Sequence, residues 1–374
     1  MGELVALDIA GGPAFVDELR RAWDRGDAVL PIDQRLPRSA AAALVATMGA
    51  CVVVDAGGAN RIDGGDATEP GDALVMATSG STGEPKGVVL THAAVAASAE
   101  ATSARLGVGA TDHWLACLPL AHVGGLSVIT RALHTSTALT VLPGFDAAAV
   151  TDAARAGATL TSLVATALGR LDPTIFRCIV LGGSHPPVDL PANTVTTYGL
   201  TETGSGVVYD GVPLDGVEIR IAADGEILIR CPMLLRCYRD GTTPVDADGW
   251  LPTGDLGGWL DDGRLHVEGR AGDLIISGGE NVWPEAVEAA LLGHPLVTDV
   301  GVAGVDDPEW GQRVTAWVVP TDPANPPSLT QLRDHVRDSH PAFMAPRDVF
   351  IVGELPRTSL GKLRRNVLRM PSGE

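Results

Sequence analysis

Lysine is almost missing from this chain: of 27 lysine and arginine residues, only Lys86 and Lys362 are lysine. A composition that favours arginine could leave two lysines by chance. Alternatively, these positions require a compact, mobile ammonium that a planar guanidinium cannot replace. Basic charge is scarce as well. With 27 basic against 46 acidic residues the net charge is −19, which argues against a nucleic-acid partner or insertion at an anionic membrane, while leaving room for a local phosphate pocket. The five cysteines, Cys51, Cys117, Cys178, Cys231 and Cys237, form no CxxC pair and follow no signal peptide. Neither a zinc site nor a disulfide framework is expected, and the pattern suits a reducing, cytoplasmic setting. No apolar run reaches the length of a membrane span.

What is present points to a globular α/β protein. A chain of 374 residues, 45% hydrophobic, has enough apolar mass for two or three domains. Short apolar runs, "ALVMAT" (Ala73 to Thr78), "VVL" (Val88 to Leu90), "ALTVLP" (Ala138 to Pro143) and "RCIVLGG" (Arg177 to Gly183), read as buried strands. Between them, His92 to Gly107 and Asp146 to Ala158 are alanine-rich and of helical length. That alternation predicts a large N-terminal domain of α/β layers. After about Val195 the short alternating runs "GVEIRI", "GEILIR" and "RLHVEG" predict a small β-rich subdomain. From about Ala271 mixed α+β texture returns, with a helix opened by Pro284. The expected boundary lies at Arg270 to Gly272, giving domains 1–270 and 271–374.

The stretch Thr78 to His92 reads "TSGSTGEPKGVVLTH". Hydroxyls and glycines crowded between two strands let donors converge on a polyphosphate while the backbone approaches closely. It is not the common P-loop, which has Gly directly before Lys; here Pro85 precedes Lys86. A polar hairpin loop without a ligand is the plainer alternative.

This segment closely resembles the phosphate-loop signature of the adenylate-forming superfamily of acyl-CoA synthetases, luciferases and peptide-synthetase adenylation domains. "YGLTETGSG" (Tyr198 to Gly206), "GWLPTGDLG" (Gly249 to Gly257), "GRAGDLIISGGENVWPEAVE" (Gly269 to Glu288) and "PRTSLGKLRR" (Pro356 to Arg365) resemble the later motifs in order. The resemblance implies that Thr78, Ser79, Gly80, Ser81, Thr82 and Gly83 cradle the phosphates of ATP and that Lys86 grips the β- and γ-phosphates. It assigns Lys362 to the bridge between carboxylate and α-phosphate during adenylation. Tyr198, with Gly199, would face adenine, Thr201 would offer a hydroxyl to phosphate, and Glu202 would bind Mg²⁺. Asp255 and Arg270 would reach the ribose. Gly278 and Gly279 would line a tunnel for the pantetheine of CoA once a mobile C-terminal domain rotates. The family usually has Asp or Lys two residues after the Arg of "GRAGD", whereas this chain has Gly272.

The segment "PLAHVGGLSVITRAL" (Pro119 to Leu133) resembles that of the o-succinylbenzoate-CoA ligases of menaquinone biosynthesis, as does "LGGSHPP" (Leu181 to Pro187). It implies substrate roles for His122, Ser127, Arg131 and Gly182, with Gly183 and Ser184 beside the nucleotide. A packed core histidine and a helix charge are the alternatives for His122 and Arg131. Roughly 70 residues precede the phosphate loop, so the usual N-terminal subdomain is expected to be shortened. The implied reaction joins 2-succinylbenzoate to CoA through an acyl-adenylate, with pyrophosphate and AMP released. Rivals are another aryl or fatty acid as substrate, a carrier-loading adenylation enzyme, and a nucleotide-binding scaffold without activity. A small-molecule acid is the expected partner, and a homodimer is compatible with the resemblance.

Overall fold

The computed structural model describes residues 1–79, 85–183, 186–187, 189–357 and 363–368. The chain divides into two compact units: Met1–Arg220 with Leu228–Thr253 and Trp259–Leu265, and Ile221–Ile227 with Gly254–Gly258 and His266–Glu374.

In the first unit two seven-stranded sheets carry the site. One runs in the order Cys237–Tyr238, Pro85–Thr91, Asp72–Ser79, Ala28–Pro31, Leu4–Leu7, Val52–Asp55, Gly58–Arg61. Leu4–Leu7 and Ala28–Pro31 pair in parallel and are buried throughout, which is why they read as continuous apolar runs rather than alternating ones. The second sheet runs Val212–Pro213, Ser205–Tyr209, Thr194–Leu200, Cys178–Leu181, Leu160–Leu163, His113–Ala116, Ala138–Val141. Its first two hairpin pairings are antiparallel and the rest parallel.

The helices follow equally local rules. His92–Arg105 is capped by Thr91, whose Oγ1 accepts from the Ala94 N–H at 3.1 Å. Asp146 does the same for Ala147–Arg155. Pro13–Asp24 opens on proline and buries Phe15, Val16, Leu19 and Ala22 on one face. Beyond the expected elements, residues before the phosphate loop supply four strands and two helices. A part-buried ion pair ties segments far apart in the chain at one edge of the first sheet: Asp72 accepts two hydrogen bonds from Arg236, each at 2.9 Å. Among the described residues no helix is long and apolar enough to cross a membrane.

The expected β-rich segment forms a four-stranded sheet, Glu218–Ile221, Glu226–Arg230, Leu251–Trp259, Leu265–Arg270. In the second unit the helices Pro284–Leu292 and Leu329–Arg337 accompany a five-stranded sheet. Its core includes Val287, Leu291, Val302, Val314, Leu332 and Val336. Ser328 and Gln331 close a reciprocal cap at the start of the second helix.

Glu288, on the first of these helices, is buried and hydrogen-bonds the Val302 N–H at 2.8 Å and Arg365 at 2.7 Å. Burial pushes its carboxyl up to about 7, with Glu285 adding to the rise and Arg365 and the Val302 N–H opposing it. A carboxyl raised on folding contributes stability that is fully present below its unfolded value and lost as pH rises through the folded one. Thermal melts of wild type and Glu288→Gln between pH 5 and 8 should therefore converge or cross. Wild type should lose up to ~1.4 kcal/mol per pH unit relative to the variant across that window. A difference constant with pH would show that Glu288 ionises normally.

Candidate active site

Lys86 sits on the strand Pro85–Thr91, paired with Thr78 across the hairpin. Thr78 donates its hydroxyl to the Lys86 carbonyl at 3.4 Å. On the other edge Tyr238 pairs with Val88, so its ring shares a face with Lys86, and the Lys86 ammonium lies 4.8 Å from the ring centroid. The Tyr238 hydroxyl donates to Glu202 Oε1 at 3.0 Å. One phenol thus stands between an ammonium and a carboxylate that form no ion pair with each other. The same strand edge is braced by Arg239, which donates to the carbonyls of Met48 at 3.0 Å and Asp66 at 2.6 Å.

Thr201 and Glu202 occupy the turn Thr201–Thr203. Thr203 caps it by accepting from the Leu200 N–H at 2.8 Å, and Leu235 N–H donates to the Glu202 carbonyl at 2.7 Å. Tyr198 and Gly199 end the preceding strand. A Cβ on Gly199 would lie 2.2 Å from the Ser205 carbonyl oxygen, so only glycine allows the two strands to meet there. Gly182 and Gly183 follow the strand Cys178–Leu181. Of the predicted phosphate-loop and acyl-turn residues, Gly80, Ser81, Thr82, Gly83 and Ser184 lie outside the described residues, as does Lys362; Ser79 is placed by its backbone at the end of Asp72–Ser79.

Arg131 is 1% exposed. Its Nη2 donates to Ser205 Oγ at 2.5 Å and Tyr209 OH at 3.4 Å, and its Nη1 to Ser162 Oγ at 3.5 Å. Ser205 in turn donates to Ser127 Oγ at 3.4 Å. The guanidinium also lies 5.6 Å from the Trp114 ring, and its Nε has no hydrogen-bond partner. Among the described residues no carboxylate pairs with it. Hydroxyls partner its two terminal nitrogens without neutralising its charge, which makes the position a standing demand for an anion.

His122 stands apart from this network. Its Nε2 is 3.7 Å from Asp33 Oδ2, and burial holds its pKa below the usual value, against the pull of Asp33. The ring is therefore neutral near pH 7.

In the second unit Asp255 and Arg270 are ion-paired at 3.0 Å. Gly278 and Gly279, with φ of 63° and 84°, form the two-residue turn between Ile275–Ser277 and Glu280–Val282, the conformation of a type I′ hairpin. A Cβ on Gly278 would meet the Trp310 ring at 2.8 Å.

Sequence reasoning missed Tyr238, Tyr209 and Ser205, which connect the residues it did single out. The missed signal was scarcity: the chain has three tyrosines, and Tyr198, Tyr209 and Tyr238 all fall in or beside these clusters.

A glycine- and hydroxyl-rich loop between paired strands, with a lysine and a carboxylate braced beside it, is the equipment of a nucleotide-phosphate site on an α/β core. The chain belongs to the AMP-binding enzyme family, whose main domain matches residues 55–239 and whose C-terminal domain matches residues 286–362. It is 40% identical over 336 residues to a probable 2-succinylbenzoate–CoA ligase of Mycobacterium tuberculosis, covering 83% of this chain and 87% of that protein. It also resembles o-succinylbenzoate CoA synthetase of Bacillus subtilis bound to the acyl-adenylate, with TM-score 0.88 and 28% identity over 99% of this chain and 88% of that one. The same Bacillus subtilis enzyme with ATP and magnesium ion matches at TM-score 0.87 and 28% identity, covering 98% and 89% of the two chains.

If the ammonium over Tyr238 is required for its compactness, Lys86→Arg raises KM for ATP about tenfold, the size of one charge-assisted hydrogen bond lost at ~1.5 kcal/mol. Unchanged ATP kinetics in the variant would mean that lysine stands there by chance.

Proposed function

We propose that this chain is an AMP-forming acid–CoA ligase for 2-succinylbenzoate, a step of menaquinone biosynthesis. One carboxylate of the acid attacks the α-phosphorus of ATP, forming the acyl-adenylate and releasing pyrophosphate. The CoA thiol then attacks the acyl carbon, giving 2-succinylbenzoyl-CoA and AMP. Adenylation turns a poor leaving group into a good one.

The observation that carries this reading is the Lys86–Tyr238–Glu202 arrangement beside the phosphate loop. Negative charge grows on the phosphate oxygens during attack, and a preorganised ammonium lowers that barrier. Lys86 serves the β- and γ-phosphates, and Lys362 serves the α-phosphate and the attacking carboxylate. Thr201 donates to phosphate from its capped turn. Glu202 would hold the magnesium that comes with the nucleotide, and the bound ion would offset phosphate charge. Asp255 and Arg270, already fixed to each other, take the ribose, and Gly278 and Gly279 form the hairpin tip that serves pantetheine, with open space beside Gly279.

The choice of a dicarboxylate rests on Arg131. The second carboxylate of 2-succinylbenzoate supplies the charge that this buried guanidinium lacks, directly or through the Ser205–Ser127 relay. Neutral His122 adds a hydrogen-bonding wall without a competing charge. We place the enzyme in the cytoplasm, where ATP, CoA and reduced thiols coexist.

Pyrophosphate release that requires both ATP and 2-succinylbenzoate tests the reading; no release would contradict it. Thioester found by mass on CoA rather than on a carrier protein separates the ligase from a carrier-loading enzyme. Lys362→Ala should slow adenylation ~100-fold or more while sparing thioester formation from supplied acyl-adenylate. Equal loss in both half-reactions would remove Lys362 from its role. Arg131→Ala should weaken use of 2-succinylbenzoate by roughly 1.5–3 kcal/mol in kcat/KM and leave monoacid analogues without the second carboxylate nearly unchanged. A parallel fall on both acids would make Arg131 structural.

A further inference from the structure

We propose that Arg365 is a positioning residue for Lys362, three places before it, and that it acts by joining the segment after Lys362 to the start of the C-terminal unit. The proposal rests on the reading of Lys362 as the adenylation lysine.

Arg365 is unlike a surface arginine. Its side chain is 11% exposed and surrounded by three carboxylates. Nη1 lies 3.1 Å from Asp273 Oδ2 and 2.8 Å from Glu285 Oε1, and Nη2 lies 2.7 Å from Glu288 Oε2. Nε donates to the Val302 carbonyl at 3.1 Å. Because Glu288 accepts from the Val302 N–H at 2.8 Å, guanidinium, carboxylate and the backbone of one residue close a ring. Four of the five N–H directions of the planar fork are thereby used, on all three of its nitrogens.

These partners come from different parts of the unit. Asp273 ends the turn Ala271–Asp273, Glu285 and Glu288 share a face of the helix Pro284–Leu292, and Val302 lies within the strand Val297–Asp307. The residues flanking 358–362 are tied to that strand as well. Leu363 bridges to Arg357, Arg364 N–H donates to the Pro356 carbonyl at 2.9 Å, and Arg357 pairs with Asp299 at 2.6 Å. Within this set only Arg365 also reaches Asp273.

Packing alone does not call for such a cluster. Three carboxylates around one guanidinium are an excess of negative charge in a buried place, and an apolar side chain of similar size would hold the fold as well or better. What an apolar side chain cannot do is fix the chain after Lys362 in angle as well as position. Bidentate and fork geometry does that, and a reacting ammonium misplaced by 1 Å loses much of its effect.

The test uses the full chain with 2-succinylbenzoate, ATP and Mg²⁺ for adenylation, and supplied 2-succinylbenzoyl-adenylate with CoA for thioester formation. In Arg365→Met the adenylation kcat should fall ~10- to 100-fold, with KM for ATP and the thioester step within about twofold of wild type. Lys362→Ala with Arg365→Met should be no slower in adenylation than Lys362→Ala alone, since a residue acting through another adds nothing once that one is gone. If Arg365→Met does not fold, the charge-reduced pair Glu288→Gln with Arg365→Gln carries the same expectations. Equal losses in both half-reactions, or a further loss in the double variant, would overturn the proposal. The functional reading is separable: normal adenylation in Lys362→Ala would refute that reading, whereas its loss there with normal adenylation in Arg365→Met refutes the positioning role alone.

Discussion

A guanidinium buried without a carboxylate is the constraint around which the first unit is arranged. Arg131 takes three hydroxyls and an indole face as neighbours, and these come from three separate strands of one sheet. Ser162, Ser205, Tyr209 and Trp114 are small, polar or flat where a buried sheet face would ordinarily present aliphatic side chains. Elsewhere in this acidic chain less deeply placed arginines are paired with acids: Arg236 with Asp72, Arg365 with three carboxylates. Leaving Arg131 uncompensated is expensive for folding, and it makes sense if a ligand anion completes the pair.

Charge placement explains the rest of the chemistry in the same terms. An enzyme acting on ATP and a dicarboxylate meets several negative charges at once, and a chain at −19 repels them unless its cations are concentrated. Lys86 is held over a phenol rather than against an acid, so its charge is available to a phosphate. Glu202 is likewise oriented by a neutral hydroxyl, which keeps its carboxylate from being neutralised by an ammonium. Tyr238 therefore separates two charges that would quench each other if they touched.

Much of this was legible in the sequence because the relevant signals are local. Apolar runs between glycine turns marked the strands, Asp146 and Pro284 marked helix starts, and the ordered motifs marked the site. Two kinds of feature were not legible. Contacts between elements far apart in the chain, such as Ser205 and Tyr209 on Arg131 of the helix Val123–Thr135 or Tyr238 beside Lys86 on the neighbouring strand, depend on packing and register that periodicity does not encode. The four strands before the phosphate loop were missed since each is four residues long, too short for a period to be distinguished. The cluster on Arg365 joins positions 273, 285, 288 and 365, and in one dimension it looks like ordinary surface charge.

The central claim is that a carboxylate oxygen of the acid attacks the α-phosphorus of ATP. Supplying 2-succinylbenzoate with ¹⁸O in both carboxylates, together with ATP, Mg²⁺ and CoA, and weighing the nucleotide product tests it most directly. The account predicts AMP carrying one ¹⁸O atom for each 2-succinylbenzoyl-CoA formed. Unlabelled AMP, or ADP with labelled phosphate, would contradict it.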